Sequence, residues 1–293
     1  MSKKRQKLLL TLWIIALCLC LIASYLTFIN CGYTKVCFLD VGQGDSCYIK
    51  TEKGSTILID GGDDGSGKYV LSPFLRTEFV KELDAVFLSH LHNDHIIGII
   101  ELLEADFPIE KIYLSDKSPE SDDYDRLSAI AKYGGTEIEL LSDDAKIYID
   151  NIEFSVISSG YSKSDDENDN SLILRMDCGE NSILFTGDAT RKYENQLLED
   201  ADLDVDFLKV AHHGSYTSSG TEFISAVSPE LSIISVGKDN RYNHPSKQTL
   251  NTMRDMDIPV MRTDFDGTIT IIMTDNDIKN ISGSRERSNT NES

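Results

Sequence analysis

Basic residues are in short supply in this chain. It has 28 lysines and arginines against 49 aspartates and glutamates, for a formal net charge of -21 over 293 residues. Such a surface keeps a protein soluble but repels polyanions unless a local basic path exists. No run of lysine, arginine and aromatic residues forms a track for a single nucleic-acid strand. None of the six cysteines forms a CxxC pair, which excludes zinc-finger spacing and a disulfide framework. Cys18 and Cys20 fall in an apolar run, while Cys31, Cys37, Cys47 and Cys178 are scattered in the manner of small buried hydrophobes. No internal repeat is evident. The length suits one large domain or two small ones, and 40% hydrophobic residues excludes wholesale disorder.

Charge is also absent from "LLLTLWIIALCLCLIASYLTFI", Leu8 to Ile29. At about 1.5 Å per helical residue this run is long enough to cross the roughly 30 Å hydrocarbon core. A cleaved signal peptide has a shorter apolar core and a small-residue site, and no A-x-A follows here. Cys31 suggests lipoprotein processing, but Asn30 stands where that signal needs a small residue. An uncleaved anchor is therefore expected over residues 1–30. Lys3, Lys4, Arg5 and Lys7 precede it, so the positive-inside rule puts them in the cytoplasm and the remainder outside the cell.

Beyond the anchor, "KVCFLDV", "SCYIKT" and "STILIDGG" are short β-like runs separated by glycine-rich turns, as hairpins require. "YVLSPFLRTEFVKEL" predicts a helix and "DAVFLSH" a buried strand ending at His90. "HIIGIIELLEAD" has helical periodicity. "KIYLSD", "EIELL", "KIYID", "NIEFSVIS", "SLILRMDCG", "NSILFTGD", "VDFLKVAHHG", "LSIISVG" and "TITIIMT" predict further strands. Helices are expected near Asp122–Tyr133, Arg191–Glu199, Glu222–Val227 and Lys247–Asp255. Gly160–Asn170 is an acidic loop. Many strands with interspersed helices predict a layered sheet-and-helix domain over residues 34–280, with a polar, disordered tail at 281–293.

Three of the six histidines crowd into "SHLHNDHIIG", Ser89 to Gly98; the others are His212, His213 and His244. One histidine where a strand meets a loop is ordinarily a surface or satisfied core residue. Three within six residues, beside an aspartate, are not. His90 and His92 fall on one side of an extended segment and can face one cation, while Asp94 and His95, at the turn into a helix, can face a second. Imidazole with carboxylate suits zinc, manganese or iron.

"SHLHNDHIIG" resembles the H-x-H-x-D-H motif of the metallo-β-lactamase fold, and the nearest likeness is to the ComEC/Rec2 DNA-uptake family. "FLDVGQGDS" is similar to that group's opening strand and turn, and "ILIDGG" to its aspartate-bearing strand, with Asp60. "ILFTGD" supplies Asp188, "LKVAHHGS" supplies His212 and His213, "NRYNHPS" supplies His244, and "FDGTITI" resembles the closing strand. The likeness runs from about Lys35 to Thr274. It implies a four-layer αββα sandwich of the α/β class. It also implies a site for two divalent metal ions, zinc ahead of manganese, bridged by Asp188. No histidine lies between His95 and His212, where many hydrolases of this fold have one. The third ligand of the His90/His92 ion then comes from "NDNS", Asn168 to Ser171, or from water, with Asn170 and Ser171 as supporting residues.

Two such ions lower the pKa of bound water to about 7 and stabilise charge on attacking and leaving oxygens. Asp188 suits the bridge because a carboxylate binds both ions. Asp60 is suited to accept a ligand imidazole N–H, or else caps a strand end. Opposite-facing strand positions predict that one of His212 and His213 is a ligand, with His212 slightly favoured. The resemblance gives Asp94 and Asp188 catalytic as well as ligand roles, and makes His244 a phosphate donor or general acid. Asp45, Gln43, Ser215 and Asn243 shape the rim or serve turn chemistry. The expected function is metal-dependent hydrolysis of phosphodiester bonds at the outer face of the membrane, with DNA as the substrate the resemblance points to. Two alternatives stay open: small or cell-envelope phosphodiesters, and a non-catalytic surface binding module. No obligate protein partner is implied. The multi-span channel segments of full ComEC/Rec2 proteins are absent, so this chain alone is not expected to form a pore.

Overall fold

The computed structural model describes residues 3–30, 32–117, 121–161, 166–200 and 202–285. Cys31, part of the acidic loop (162–165) and residues 286–293 of the expected tail lie outside them. Helix α1 spans Lys3–Asn30. Its Lys3–Ile22 portion has a mean hydropathy of 1.9 and no buried residues; among the described residues it is the one helix long and apolar enough to cross a membrane.

Strands β1 (Thr34–Phe38), β2 (Cys47–Lys50) and β3 (Thr56–Ile59) come next, then helix α2 (Ser72–Thr77) and strand β4 (Ala85–Phe87). Helix α3 (Asn93–Glu104), β5 (Lys111–Ser115), α4 (Asp122–Gly134) and β6 (Glu137–Leu141) complete the first half. The second half opens with β7 (Lys146–Ile149), β8 (Ile152–Ser158), β9 (Ile173–Cys178) and β10 (Asn181–Phe185). It continues through α5 (Arg191–Asp200), β11 (Phe207–Lys209), α6 (Thr221–Val227), β12 (Leu231–Ile234) and α7 (Lys247–Asp255). Strand β13 (Val260–Arg262), the short α8 (Thr263–Asp266), β14 (Ile269–Thr274) and β15 (Asp277–Gly283) close the chain. One sheet has the order β15-β14-β1-β2-β3-β4-β5-β6 and the other β13-β12-β11-β10-β9-β8-β7.

Side chains alternate across a strand, and that alternation builds the layers. Val36 and Phe38 of β1, Ile57 and Ile59 of β3, and Ile183 and Phe185 of β10 point between the sheets. Phe87 and Phe154 meet there with ring centroids 4.8 Å apart. Cys37 and Leu58 point the other way, into the apolar layer under α3 and α4, and Leu184 points into the layer under α5 and α6. The result is the four-layer αββα sandwich. Strands β3 to β6 run parallel, as do β10 to β13, so their C-terminal ends lie at one edge of the sandwich. Open parallel sheets bind ligands at such ends.

The helix expected over "YVLSPFLRTEFVKEL" is broken. A π-turn covers Gly67–Leu71 and α2 ends at Thr77. Pro73 lacks an N–H and its ring crowds the preceding turn, and Phe79 has a left-handed φ of 58° that halts continuation. The strand expected through "VDFLKVAHHG" stops at Lys209, and β15 carries the domain three residues past 280. Cys37, Cys47 and Cys178 are buried free thiols.

Glu194 ties α5 to the start of α6. Its Oε1 accepts from the Ser219 N–H at 2.6 Å and its Oε2 from the Gly220 N–H at 3.0 Å. Burial raises this carboxyl to about 7, against the pull of those two N–H groups and Arg191. A carboxyl with a higher pKa folded than unfolded stabilises the fold while protonated, and that contribution fades as pH rises from about 4.5 through 7. Chemical denaturation should therefore show this group costing on the order of 2–3 kcal/mol between pH 5 and pH 8. Glu194→Gln should flatten that slope, and equal slopes in the two proteins would remove Glu194 as its source.

Candidate metal centre

Most groups of the centre sit just past the C-terminal end of a strand, while Asp94 and His95 come from the first turn of α3 and Asp45 from the turn before β2. Asp60 follows β3 with a left-handed φ of 59°. Ser89 and His90 follow β4, Asp188 follows β10, and His212 and His213 follow β11. Helix α3 presses its first turn into this edge because two glycines let it. A Cβ on Gly98 would stand 1.9 Å from the Gly61 carbonyl oxygen, and the Gly61 N–H donates to the His95 carbonyl at 2.6 Å.

Asp60 lies beneath His95. Its Oδ2 is 2.9 Å from His95 Nδ1 and accepts from Ser89 Oγ at 2.8 Å, while its Oδ1 accepts from the Ser89 N–H. With Nδ1 donating to Asp60, His95 turns its Nε2 toward Asp188 Oδ1 at 3.4 Å and Asp94 Oδ1 at 4.0 Å. His90 Nε2 approaches His92 Nδ1 at 2.9 Å, and Ser89 Oγ backs His90 Nδ1. His92 lies further out, its Nε2 3.3 Å from Glu167 Oε2. Within the expected "NDNS" segment, Ser171 Oγ accepts from the Asp188 N–H. Asp169 is turned to Thr190, and Asn170 sits half-buried in the turn before Ser171. Glu167, three residues ahead of Asn170, is the carboxylate beside His92.

His212 and His213 do not face opposite sides of a strand. Both adopt left-handed conformations, φ 50° and 52°, in a tight turn over Ala211–Gly214. That turn aims both rings at Asp188, whose Oδ2 is 3.7 Å from His212 Nε2 and 3.8 Å from His213 Nε2. His213 is the buried one and also reaches Asp94 Oδ2 at 3.3 Å. Its Nδ1 donates to the Ser235 carbonyl at 3.0 Å and lies 3.2 Å from Asp45 Oδ1. The geometry thus favours His213 over His212 as a ligand. His244 stands at the rim, its ring centroid 5.5 Å from that of His212.

Asp45, Asp60, Asp94 and Asp188 concentrate negative charge here, and Lys209 is the one buried lysine or arginine among the described residues. Burial works against charge on each group. Even so, Asp188 and Asp60 hold His95 well above the ordinary imidazole range, and Asp188 and Asp45 raise His213 to about 10. Burial pushes His90 well down, so it is neutral. A divalent cation answers the same excess of negative charge and leaves the imidazoles neutral. The donor set fits one: His95 Nε2 and Asp188 Oδ1 are buried without hydrogen-bond partners. Among the described residues four groups each bring their ligand atoms within 4.8 Å: His90, His95 and Asp188; Asp94, His95 and His213; Asp45, Asp188 and His213; and Asp45, Asp60 and His95.

Lys209, Ser89, Ser235 and Glu167 were not singled out by sequence reasoning. Lys209 stands two residues after a buried strand begins, where lysine is rare, and that was its only signal. Its Nζ donates to Asp45 Oδ2 at 2.6 Å and to the Val210 carbonyl, with both side chains under a tenth exposed. Removing one partner of a buried pair leaves an uncompensated charge and costs about 3–5 kcal/mol. Lys209→Met should lower unfolding stability by that order in urea titration, and adding Asp45→Asn should restore part of it. A Lys209→Met protein within about 1 kcal/mol of wild type would show that the pair does not hold the floor of the site.

The chain is similar to several known proteins. A family model described as Metallo-beta-lactamase superfamily matches residues 39–238. ComE operon protein 3 of Bacillus subtilis is 32% identical over 252 residues, covering 80% of this chain and 32% of that protein. Competence protein ComA of Neisseria gonorrhoeae is 31% identical over 232 residues, covering 78% and 31%. Recombination protein 2 of Haemophilus influenzae is 29% identical over 237 residues, covering 80% and 28%. The chain thus spans about a third of the length of these curated relatives. CmlA, a diiron beta-hydroxylase from Streptomyces venezuelae, shares the fold, with a TM-score of 0.56 at 14% identity over 82% of this chain and 54% of its own. The chain belongs to the metallo-beta-lactamase superfamily, and its likeness to the competence proteins places it with the ComEC/Rec2-like group of that superfamily.

Proposed function

We propose that the chain is a membrane-anchored, metal-dependent hydrolase of phosphodiester bonds, with its ligands drawn from His90, His92, Asp94, His95, Asp188 and His213. The observation that carries this reading is Asp188. One oxygen of its carboxylate faces His95 and the other faces His212 and His213, so a single side chain serves both halves of the cluster. Divalent ions bound there, zinc ahead of manganese for an imidazole–carboxylate set, supply Lewis acidity toward a phosphodiester and lower the pKa of water.

The remaining work falls to the chain's own groups. Asp60 fixes the His95 tautomer, Asp45 supports His213, and Ser171 anchors the backbone of Asp188. Burial lowers His244 to about 4, with His212 and His213 adding to the effect, so it is neutral at pH 7. From the rim it offers an N–H to a phosphoryl oxygen. Losing a supporting residue of a metal site typically costs 10–100-fold, so losing the shared carboxylate must cost more. Asp188→Ala should strip most bound metal by elemental analysis and cut turnover of bis-p-nitrophenyl phosphate by more than about a hundredfold. Full metal content with near-normal turnover would sink the assignment.

DNA is the proposed substrate because the relatives are named as competence and recombination proteins. The charge of -21 favours a second reading, hydrolysis of small or cell-envelope diesters. A protein gripping duplex DNA neutralises several phosphates, and its binding weakens steeply with salt. Metal-loaded protein should cleave DNA at low salt and lose that activity as salt rises, while small diesters stay salt-tolerant. Intact DNA even at low salt, beside hydrolysed small diesters, would leave the second reading standing.

We also propose that α1 crosses the cytoplasmic membrane with Lys3, Lys4, Arg5 and Lys7 inside, so that the metal centre faces outward. Protease added to intact cells should digest the domain and spare cytosolic markers; a protected domain would reverse the orientation.

A further inference from the structure

The chain exposes several large aromatic side chains, among them Tyr69, Phe79, Tyr133, Tyr148, Tyr216, Tyr242 and Phe265. Tyr242 differs from a stray surface ring in how it is joined to the site. Its ring lies 5.8 Å from that of His244 at an interplanar angle of 26°. The His244 ring is 5.5 Å from that of His212, and His212 Nε2 is 3.7 Å from Asp188. A continuous line of rings therefore runs from the buried carboxylate to solvent, and Tyr242 ends it with about half of its surface exposed.

Arg241 completes the outer end. Its guanidinium sits 4.9 Å from the Tyr242 ring centroid and donates to the Tyr242 hydroxyl at 2.7 Å. A planar cation over an exposed phenol presents a flat, positively charged surface. In a chain of net charge -21 that sign, at the mouth of the site, is the wrong one for general surface chemistry and the right one for a polyanion's end.

The loop that carries the pair is pinned by Asn240. Its Oδ1 accepts from the N–H groups of Tyr242 and His244 at 3.1 and 3.0 Å, and its Nδ2 donates to the carbonyls of Gly237 and His244. Gly237 is in turn held by Gln43 Oε1 at 3.3 Å. A ring held in place before its ligand arrives loses little entropy on binding.

We propose that Arg241 and Tyr242 form a stacking platform for the nucleobase next to the scissile phosphate, making the site selective for nucleotide diesters over diesters of plain sugars or alcohols. This rests on the phosphodiesterase reading above. Stacking accepts any base, because every base has a π-face, so the selectivity is for a base as such and not for a sequence. The Arg241 charge adds attraction for the neighbouring phosphate.

The test uses the full chain in detergent micelles and two substrates: a dinucleotide, and the same diester with abasic tetrahydrofuran sugars. Wild type should prefer the dinucleotide about tenfold, through KM and not kcat, which is the size expected for one stacked base. Tyr242→Ala should bring the two KM values together, and Tyr242→Phe should keep them apart. A second readout needs no turnover: a 2-aminopurine dinucleotide with a phosphorothioate link should lose fluorescence on binding wild type and Tyr242→Phe but not Tyr242→Ala. Equal KM values for the two substrates in wild type, or a preference and quench that survive Tyr242→Ala, would overturn the platform while leaving the hydrolase. Tyr242-dependent quenching with no diester turned over would overturn the hydrolase while leaving the platform.

Discussion

Four carboxylates packed at one edge of the sandwich set the terms for the structure around them. Taking an ion out of water costs several kcal/mol even after relaxation, so Asp45, Asp60, Asp94 and Asp188 need partners from every side. Lys209 answers Asp45, Ser89 and His95 answer Asp60, and His95 and His213 answer Asp188. His95 and His213 are pulled toward protonation by this arrangement, as expected of a cluster that calls for more positive charge than its side chains carry. Stability and the proposed chemistry share one cause here, because the groups that must be neutralised for folding are the groups that could hold a metal ion.

Convergence of this kind requires strands that end together. Parallel pairing of β3 and β4, and of β10 and β11, brings four chain ends to one edge without any long loop. What the strands deliver, the turns then aim. Left-handed backbone at Asp60, His212 and His213 swings side chains away from the strand direction, a conformation that costs a non-glycine residue free energy and persists only where its surroundings enforce it. Helix α3 enforces one part of it: its approach to Gly61 leaves no room for a side chain at Gly98, so the position of His95 is fixed by backbone contact.

Much of this could be read from the sequence, and the divide has a physical basis. His90, Asp94 and His95 are legible because they lie within one short segment at a strand-to-helix turn, so local spacing determines their geometry. Strand alternation was equally legible, since Val36 and Phe38 must share a face. Strand alternation does not extend to His212 and His213, because β11 ends at Lys209 and the chain enters a left-handed turn that nothing in "AHHG" except the glycine announces. Glu167 and Lys209 were missed because their roles depend on partners distant in the chain: His92 lies 75 positions from one and Asp45 lies 164 from the other. Pro73 marks the change from π-type to α-type bonding at the start of α2, and the early end of that helix, before Phe79, has no signal in the apolar pattern around it.

The acidity of the chain as a whole and the charges at the mouth of its site act over different distances. At physiological ionic strength charges are screened beyond about 8 Å, so a bound phosphate feels its near neighbours far more than the total of -21. Near the mouth those neighbours are Arg241, with Asp63 within its electrostatic reach, Glu167 beside His92, and the ions proposed for the cluster. A stiff duplex cannot present one phosphate there without laying others across acidic surface, whereas a flexible strand end or a short diester can. Net charge therefore bears on the shape of a substrate more than on its chemical class: under the phosphodiesterase reading proposed above, it favours strand ends and short diesters over a duplex.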